Sequence, residues 1–302
     1  MLDQSARSLP EVPQFRPYEP APFRMAMGLA AVAEPDWLEF AEDYPAQMAE
    51  RRRLLASAPE AVVACLPEAK AAACELRDGL VTHLLTHHAG WFVKDGDTLH
   101  NRLLDERIDL TATDPLTTAG LLVQEDFCLM QQHPDGHHLT GAVLCFPTRW
   151  SLAEKLGLPL VEVHEKVPFY GDRLAHPVER FFSSLKLGKL AQRLNWSVID
   201  DAALFQLQGK GRDGIDPDIT PGNALSRLYL RVERQTFRRL PISEAVVFGI
   251  RIHVTRLDRV AIDAREAARL SAAIQALPPD MAHYKSTGRF SEALLKALAA
   301  IG

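Results

Sequence analysis

His164 closes an aliphatic run, Leu158-Pro159-Leu160-Val161-Glu162-Val163. An imidazole at the end of such an apolar approach has two readings. It can be the axial ligand of a haem iron, which needs a single protein nitrogen on that side. It can equally be a buried, hydrogen-bonded histidine, with Glu162 or Glu165 holding it as a pH-sensitive ion pair. The residues alone leave both open. His83 and His87 stand four apart on a predicted helix, with His88 beside them. That spacing can bring two imidazoles to one metal, or it can place cations at a helix C-terminus where the dipole favours them. No third ligand accompanies them at a defined spacing.

Arginine and aromatics concentrate in two further segments, Arg193-Leu194-Asn195-Trp196-Ser197 and Arg231 to Arg239 (RVERQTFRR). Strand alternation puts Arg231, Glu233 and Gln235 on one face and Val232, Arg234 and Thr236 on the other. A polar face lining a cavity could grip carboxylates bidentately. The same face in water would carry cross-strand charge pairs. Arg149-Trp150 form an exposed pair at a strand end, within the dense segment Cys145 to Tyr170. Missing are GxGxxG after a strand, GxxxxGK[ST], GxSxG and HExxH. The glycines of Gln208-Gly209-Lys210-Gly211 precede no helix start, and aspartates crowd them, which argues against a phosphate cradle. Cys65, Cys74, Cys128 and Cys145 are well separated. They make neither a disulfide framework nor a cluster site, and their apolar surroundings read as small buried hydrophobes.

These residues need elements to position them. Five prolines in residues 1–24 predict an extended arm. Spacing predicts a helix over Trp37–Leu55, with Asp36 as N-cap and Pro45 breaking or restarting it. A stronger helix covers Pro67–Thr86, its stripe formed by Ala71, Cys74, Leu76, Leu80, Leu84 and Leu85. Leu121–Met130 and Leu139–Phe146 flank the turn-rich HPDGHH and read as a hairpin with Asp135-Gly136 at its tip. Ser151 is placed to cap a short helix ending at Gly157. A helix over Pro177–Leu187, a strand over Leu194–Ile199 and a hairpin of Leu228–Thr236 with Ala245–Val254 follow. Leu228, Leu230 and Val232 alternate with Tyr229, Arg231 and Glu233, which implies one packed and one polar face. Two helices separated by Pro278-Pro279 close the chain. Gln208–Gly222 is a Gly/Pro/Asp loop, the best candidate for a mobile element. The sum is α+β, with more helix than strand.

The chain of 302 residues has 34 basic and 39 acidic side chains, a formal charge of −5, and 47% hydrophobic residues. That balance argues against a nucleic-acid or anionic-membrane surface as its main business. No apolar leader core opens it and no stretch of eighteen uncharged apolar residues occurs. A soluble, cytoplasmic protein is expected.

Four separated blocks occur in matching order: QEDFCLM, LCFPTRWSLAEKLGLPLVEVHEKVPFY, RLNWSV, and LYLRVERQTFRRLP with AVVFGIRIHV. Through them the chain, from about Phe23 to Leu298, resembles the haem-carrying α subunit of the haem-dependent oxidative N-demethylase family. The resemblance implies a PAS-type domain with a five-stranded antiparallel sheet, its core at about 121–255. Residues 25–302 would then be one domain with helical extensions. It implies haem b here, with FMN, a [2Fe–2S] cluster and NADPH on partner reductase subunits. The substrate would be a small secondary amine such as dimethylamine, oxidised with O2. A cationic amine needs a carboxylate or an aromatic wall, and Glu233 and Trp196 are the candidates. Arg193 or Arg231 would polarise bound oxygen or grip propionates, with Arg149 and Arg234 as further cofactor contacts. Among the histidines, His133, His137 and His138 sit by a hairpin tip, His100 and His283 in polar segments, and His83, His87 and His88 outside the core. His253 ends a strand on its polar face. That leaves His164 and His176, and the apolar approach favours His164 as proximal ligand. A haem- or small-ligand-binding PAS sensor without catalysis, and a non-haem binding module, are the alternative functions.

Overall fold

The structure, a computed structural model, describes residues 15–20, 22–111, 114–209 and 211–301. Most of the expected N-terminal arm lies outside the described residues. The part from Pro22 to Leu29 has no regular structure. Helix (37%) exceeds strand (24%), as composition and periodicity implied.

The strands are β1 (Ala30–Val32), β2 (Val63–Cys65), β3 (Phe92–Asp95), β4 (Thr98–Asn101), β5 (Glu106–Asp109), β6 (Asp126–His133), β7 (Gly136–Val143), β8 (Leu190–Ile199), β9 (Tyr229–Arg239) and β10 (Val246–Arg256). The main sheet runs β1-β8-β9-β10-β6-β7-β2, every pairing antiparallel, and β3-β4-β5 form a second sheet. The expected five-stranded sheet is therefore corrected to seven strands plus a separate sheet of three. β1 and β2 are short additions at the two edges. Their apolar runs of three residues are too short to announce themselves by periodicity.

β9 and β10 pair along their whole length, from Tyr229 opposite Arg256 to Arg239 opposite Val246. The Glu75 carboxylate clamps their turn, accepting from the Ile242 and Ser243 amides at 2.7 and 2.8 Å. The polar face expected of β9 is not solvated, since Arg231, Arg234, Gln235 and Thr236 are all buried. Opposite faces of β9 and β10 serve different layers. Glu233, Gln235, Phe237, Phe248 and Ile250 face a cavity. On the other face Arg234 and Arg251 reach the segment Asp36 to Gln47.

Several local expectations shift. The first long helix is Tyr44–Ser57, with Pro45 in its first turn, where a missing N–H costs nothing. Asp36 caps nothing and ends a 3-10 turn. Leu121 belongs to a helix, Pro115–Leu122, capped by Asp114. Ser151 caps no helix: residues 153–157 form turns, and the amide of Gly157, at φ +84°, reaches the Leu139 carbonyl. The helix Lys70–His87 buries Ala72, Ala73, Leu76, Leu80, Val81, His83 and Leu84, while Cys74 is exposed. The helix expected over Pro177–Leu187 runs Ala175–Ser184. The tail holds Ala264–Gln275, Pro279–Tyr284 and Ser291–Ala299. In the core Arg51 and Asp126 form a fully buried pair at 2.6 Å. The Asp126 carboxylate also accepts the Cys145 and Phe146 amides, tying β6 to the strap that leaves β7.

Candidate functional site

A cavity of about 800 Å³ lies between the main sheet and the segments folded over it, within the size range of cofactor pockets. Register builds its floor. Ala191, Phe237, Phe248 and Cys128 form one cross-strand row, and Phe237 stacks on Phe248 at 5.1 Å. Parallel rows pair Arg193 with Gln235 and Asn195 with Glu233. Half the floor is thus aromatic and half polar. Residues Leu144 to Leu174, the helix Ala175–Ser184, the stretch Pro22–Gly28 and the tail around Tyr284-Lys285 contribute the rest of its lining.

His164 lines this cavity. It follows a single helical turn, Leu160–Val163, begun after Pro159 and held by Lys155, whose ammonium donates to the Val163 carbonyl. His164 Nδ1 donates to the Leu160 carbonyl at 2.8 Å. A carbonyl can only accept, so Nδ1 carries a proton, as it does in histidines that ligate a metal through Nε2. Phe169, in a left-handed conformation at φ +64°, reverses the chain and brings Tyr170 onto the His164 ring. His176 is exposed and lies outside the lining.

The four candidate arginines separate by what they already hold. Arg231 donates to the carbonyls of Phe146, Ala203 and Leu204 and to the Thr148 hydroxyl. Burial lowers its pKa to about 10, against the opposing charge of Glu233. Arg234 sits on the other face, bonded to Gln192 and the carbonyls of Asp36 and Trp37, with Glu39 at 3.3 Å. Neither is among the residues that line this cavity, although Arg231 holds Phe146 and Thr148, which do. Arg149 does line it, yet its guanidinium is spent on Gln206, the Gly209 carbonyl and Asp200 at 2.6 Å. Arg193 lines it with no hydrogen bond or ion pair among the described residues, and burial disfavours its charge.

Glu233 lines the polar half, its carboxylate accepting from Thr148, from Asn195 at 3.3 Å and from Gln235 at 2.7 Å. Trp196 lies opposite Val232 in the register. The Lys285 ammonium sits over its ring at 5.2 Å, so one aromatic face already holds a cation. Its edge meets Tyr18 at 5.9 Å. Tyr170, Tyr284, Lys285, Thr148 and Asn195 were given no role from the sequence. Three of them stand inside the quoted blocks, whereas Tyr284 and Lys285 arrive from the tail and carry no local signal. His83, by contrast, is packed against Trp37 at 5.1 Å. Among the described residues no group of three or more His, Cys, Asp or Glu is placed to hold a metal ion.

Fold and site together define an α+β protein with a half-aromatic cavity that His164 lines. The family model described as haem-dependent oxidative N-demethylase, alpha subunit-like matches residues 28–295, and the chain belongs to this family. Among the described residues no helix is long and apolar enough to cross a membrane.

Proposed function

We propose that the chain is the haem-binding α subunit of an oxidative N-demethylase acting on a small secondary amine, dimethylamine or a close relative. The observation that carries this is His164, set in the cavity wall with its Nδ1 donating to the Leu160 carbonyl. Haem b would be held by His164 against the Phe237–Phe248 floor. Two buried polar atoms without partners in the same wall, on Tyr170 and Arg193, agree with a missing polar group. A PAS-type core fits the β7-β6-β10-β9-β8 middle of the sheet, contributed by five consecutive strands.

When bound, the haem would supply dioxygen activation. The chain's own groups would handle the amine. A secondary amine is cationic at neutral pH, and Glu233 offers an anion already fixed by three donors. Its carboxylate would bind the ammonium and accept the proton the nitrogen must lose before oxidation. Trp196 and Lys285 would border that site and keep it from admitting a second cation. The net reaction takes dimethylamine, O2, NADPH and a proton to methylamine, formaldehyde, NADP+ and water. The hydride equivalent would come from a separate reductase carrying FMN and [2Fe–2S], in keeping with an α-subunit-like family.

The test is the absorption spectrum of the purified protein with and without dithionite. A Soret band present in wild type and His176→Ala, and lost or rescued only by imidazole in His164→Ala, is the expected result. A tightly held, normal haem in His164→Ala would reject the ligand. Colourless protein after expression with ample haem would reject the cofactor.

A further inference from the structure

Tyr170 is 4% exposed and its hydroxyl, on the cavity wall, has no hydrogen-bond partner. The same is true of the buried Arg193 Nε. The two side chains are near enough for each charge state to act on the other. Glu233 also acts on Arg193, while its carboxylate accepts from Thr148, Asn195 and Gln235. A buried guanidinium beside a buried phenol is thus a patch of donors without an acceptor. Burying such groups unsatisfied is costly, and the group that satisfies a guanidinium and a hydroxyl together is an anionic, acceptor-only carboxylate.

We propose that Arg193 and Tyr170 form a carboxylate-binding subsite in the wall of the cavity. Two sources present that chemistry. One is a propionate of the porphyrin. The other is the substrate itself, which would then be an N-methyl amino acid, its ammonium toward Glu233 and its carboxylate toward Arg193. The choice of source rests on the haem-and-amine reading above, while the subsite does not.

The experiment compares wild type, Arg193→Gln and Tyr170→Phe, the latter keeping the ring that stacks on His164. Each is titrated with haemin and with haemin dimethyl ester, read by absorbance. Each is also titrated by calorimetry with N-methylglycine and with its methyl ester. The expected result is that wild type prefers one of the free acids over its ester by at least tenfold, and that both variants lose that preference. Preference confined to haemin assigns the subsite to the cofactor, and preference confined to N-methylglycine assigns it to the substrate. Equal binding of acid and ester in both pairs, or preference retained in Arg193→Gln, overturns the proposal. Protein that takes up no haemin refutes the haem reading, and the N-methylglycine titration still decides the subsite.

Discussion

The rings of His164 and Tyr170 lie parallel, 4.2 Å between centroids and 9° apart in plane. With the Leu160 carbonyl gripping Nδ1 from one edge, the stack fixes the remaining rotation of the imidazole. A ligating nitrogen is useful only if it is already aimed. The strained left-handed residue Phe169, which turns the chain between the two rings, is where the fold bears the strain of that aim.

Tyr170→Leu should therefore release the ring while Tyr170→Phe should not. The expected stability loss in the leucine variant is about 1 kcal/mol from the aromatic pair. The decisive measurement is the ring-current shift of the His164 C2 proton in haem-free protein. It should vanish in Tyr170→Leu and persist in Tyr170→Phe; persistence in both would show that the stack does not hold the ring.

Arg231 ties two connecting segments to β9 through carbonyls of Phe146, Ala203 and Leu204 and the Thr148 hydroxyl. Its planar fork cannot be replaced by an ammonium. Arg231→Lys should cost about 2–4 kcal/mol in urea unfolding, since several buried carbonyls lose their donors. Because Thr148 also donates to Glu233, amine affinity should weaken alongside. A loss below about 0.5 kcal/mol, typical of a surface site, would contradict this account.

His83 gives the fold a pH dependence. Burial, with His88, His87 and Arg238 adding to it, lowers its pKa from 6.5 to about 3. Neither ring nitrogen has a hydrogen-bond partner, and the Glu34 carboxylate lies 3.5 Å from Nδ1. The folded state thus stays neutral while the unfolded chain takes up a proton below pH 6.5. Stability should fall as pH drops from 6.5 toward 3, by up to about 1.4 kcal/mol per pH unit. His83→Phe keeps an aromatic ring against Trp37, and should flatten that slope in denaturation curves between pH 6.5 and 4. An unchanged slope would place the acid sensitivity elsewhere.

Glu233→Gln removes the charge but keeps a group that Thr148, Asn195 and Gln235 can face. Unfolding midpoints should move little. Binding of dimethylammonium should weaken roughly tenfold to a hundredfold, the worth of one charge-assisted hydrogen bond at about 1.5–3 kcal/mol. Calorimetric titration of the two proteins reads this directly, and equal affinities would move the amine away from Glu233.

The residues alone specified the two long hairpins and the long helices, and together with the family resemblance they singled out His164 for testing. Alternation in Leu228–Glu233, turn chemistry at Asp135-Gly136 and an aliphatic approach to His164 are local signals, written by neighbours in the chain. What the arginines do was not legible. Arg149, Arg193, Arg231 and Arg234 look alike in sequence, and alternation even set Arg231 beside Glu233. Only packing decided that Arg231 would be spent on carbonyls, Arg234 on the opposite face and Arg149 on Asp200, leaving Arg193 unpaired in the cavity. The same holds for Lys285, which reaches Trp196 from 89 positions away. The physical reason is one of range. Periodicity reports which side of a strand a residue takes, whereas the partner of a buried charge is chosen by whichever distant segment closes over it.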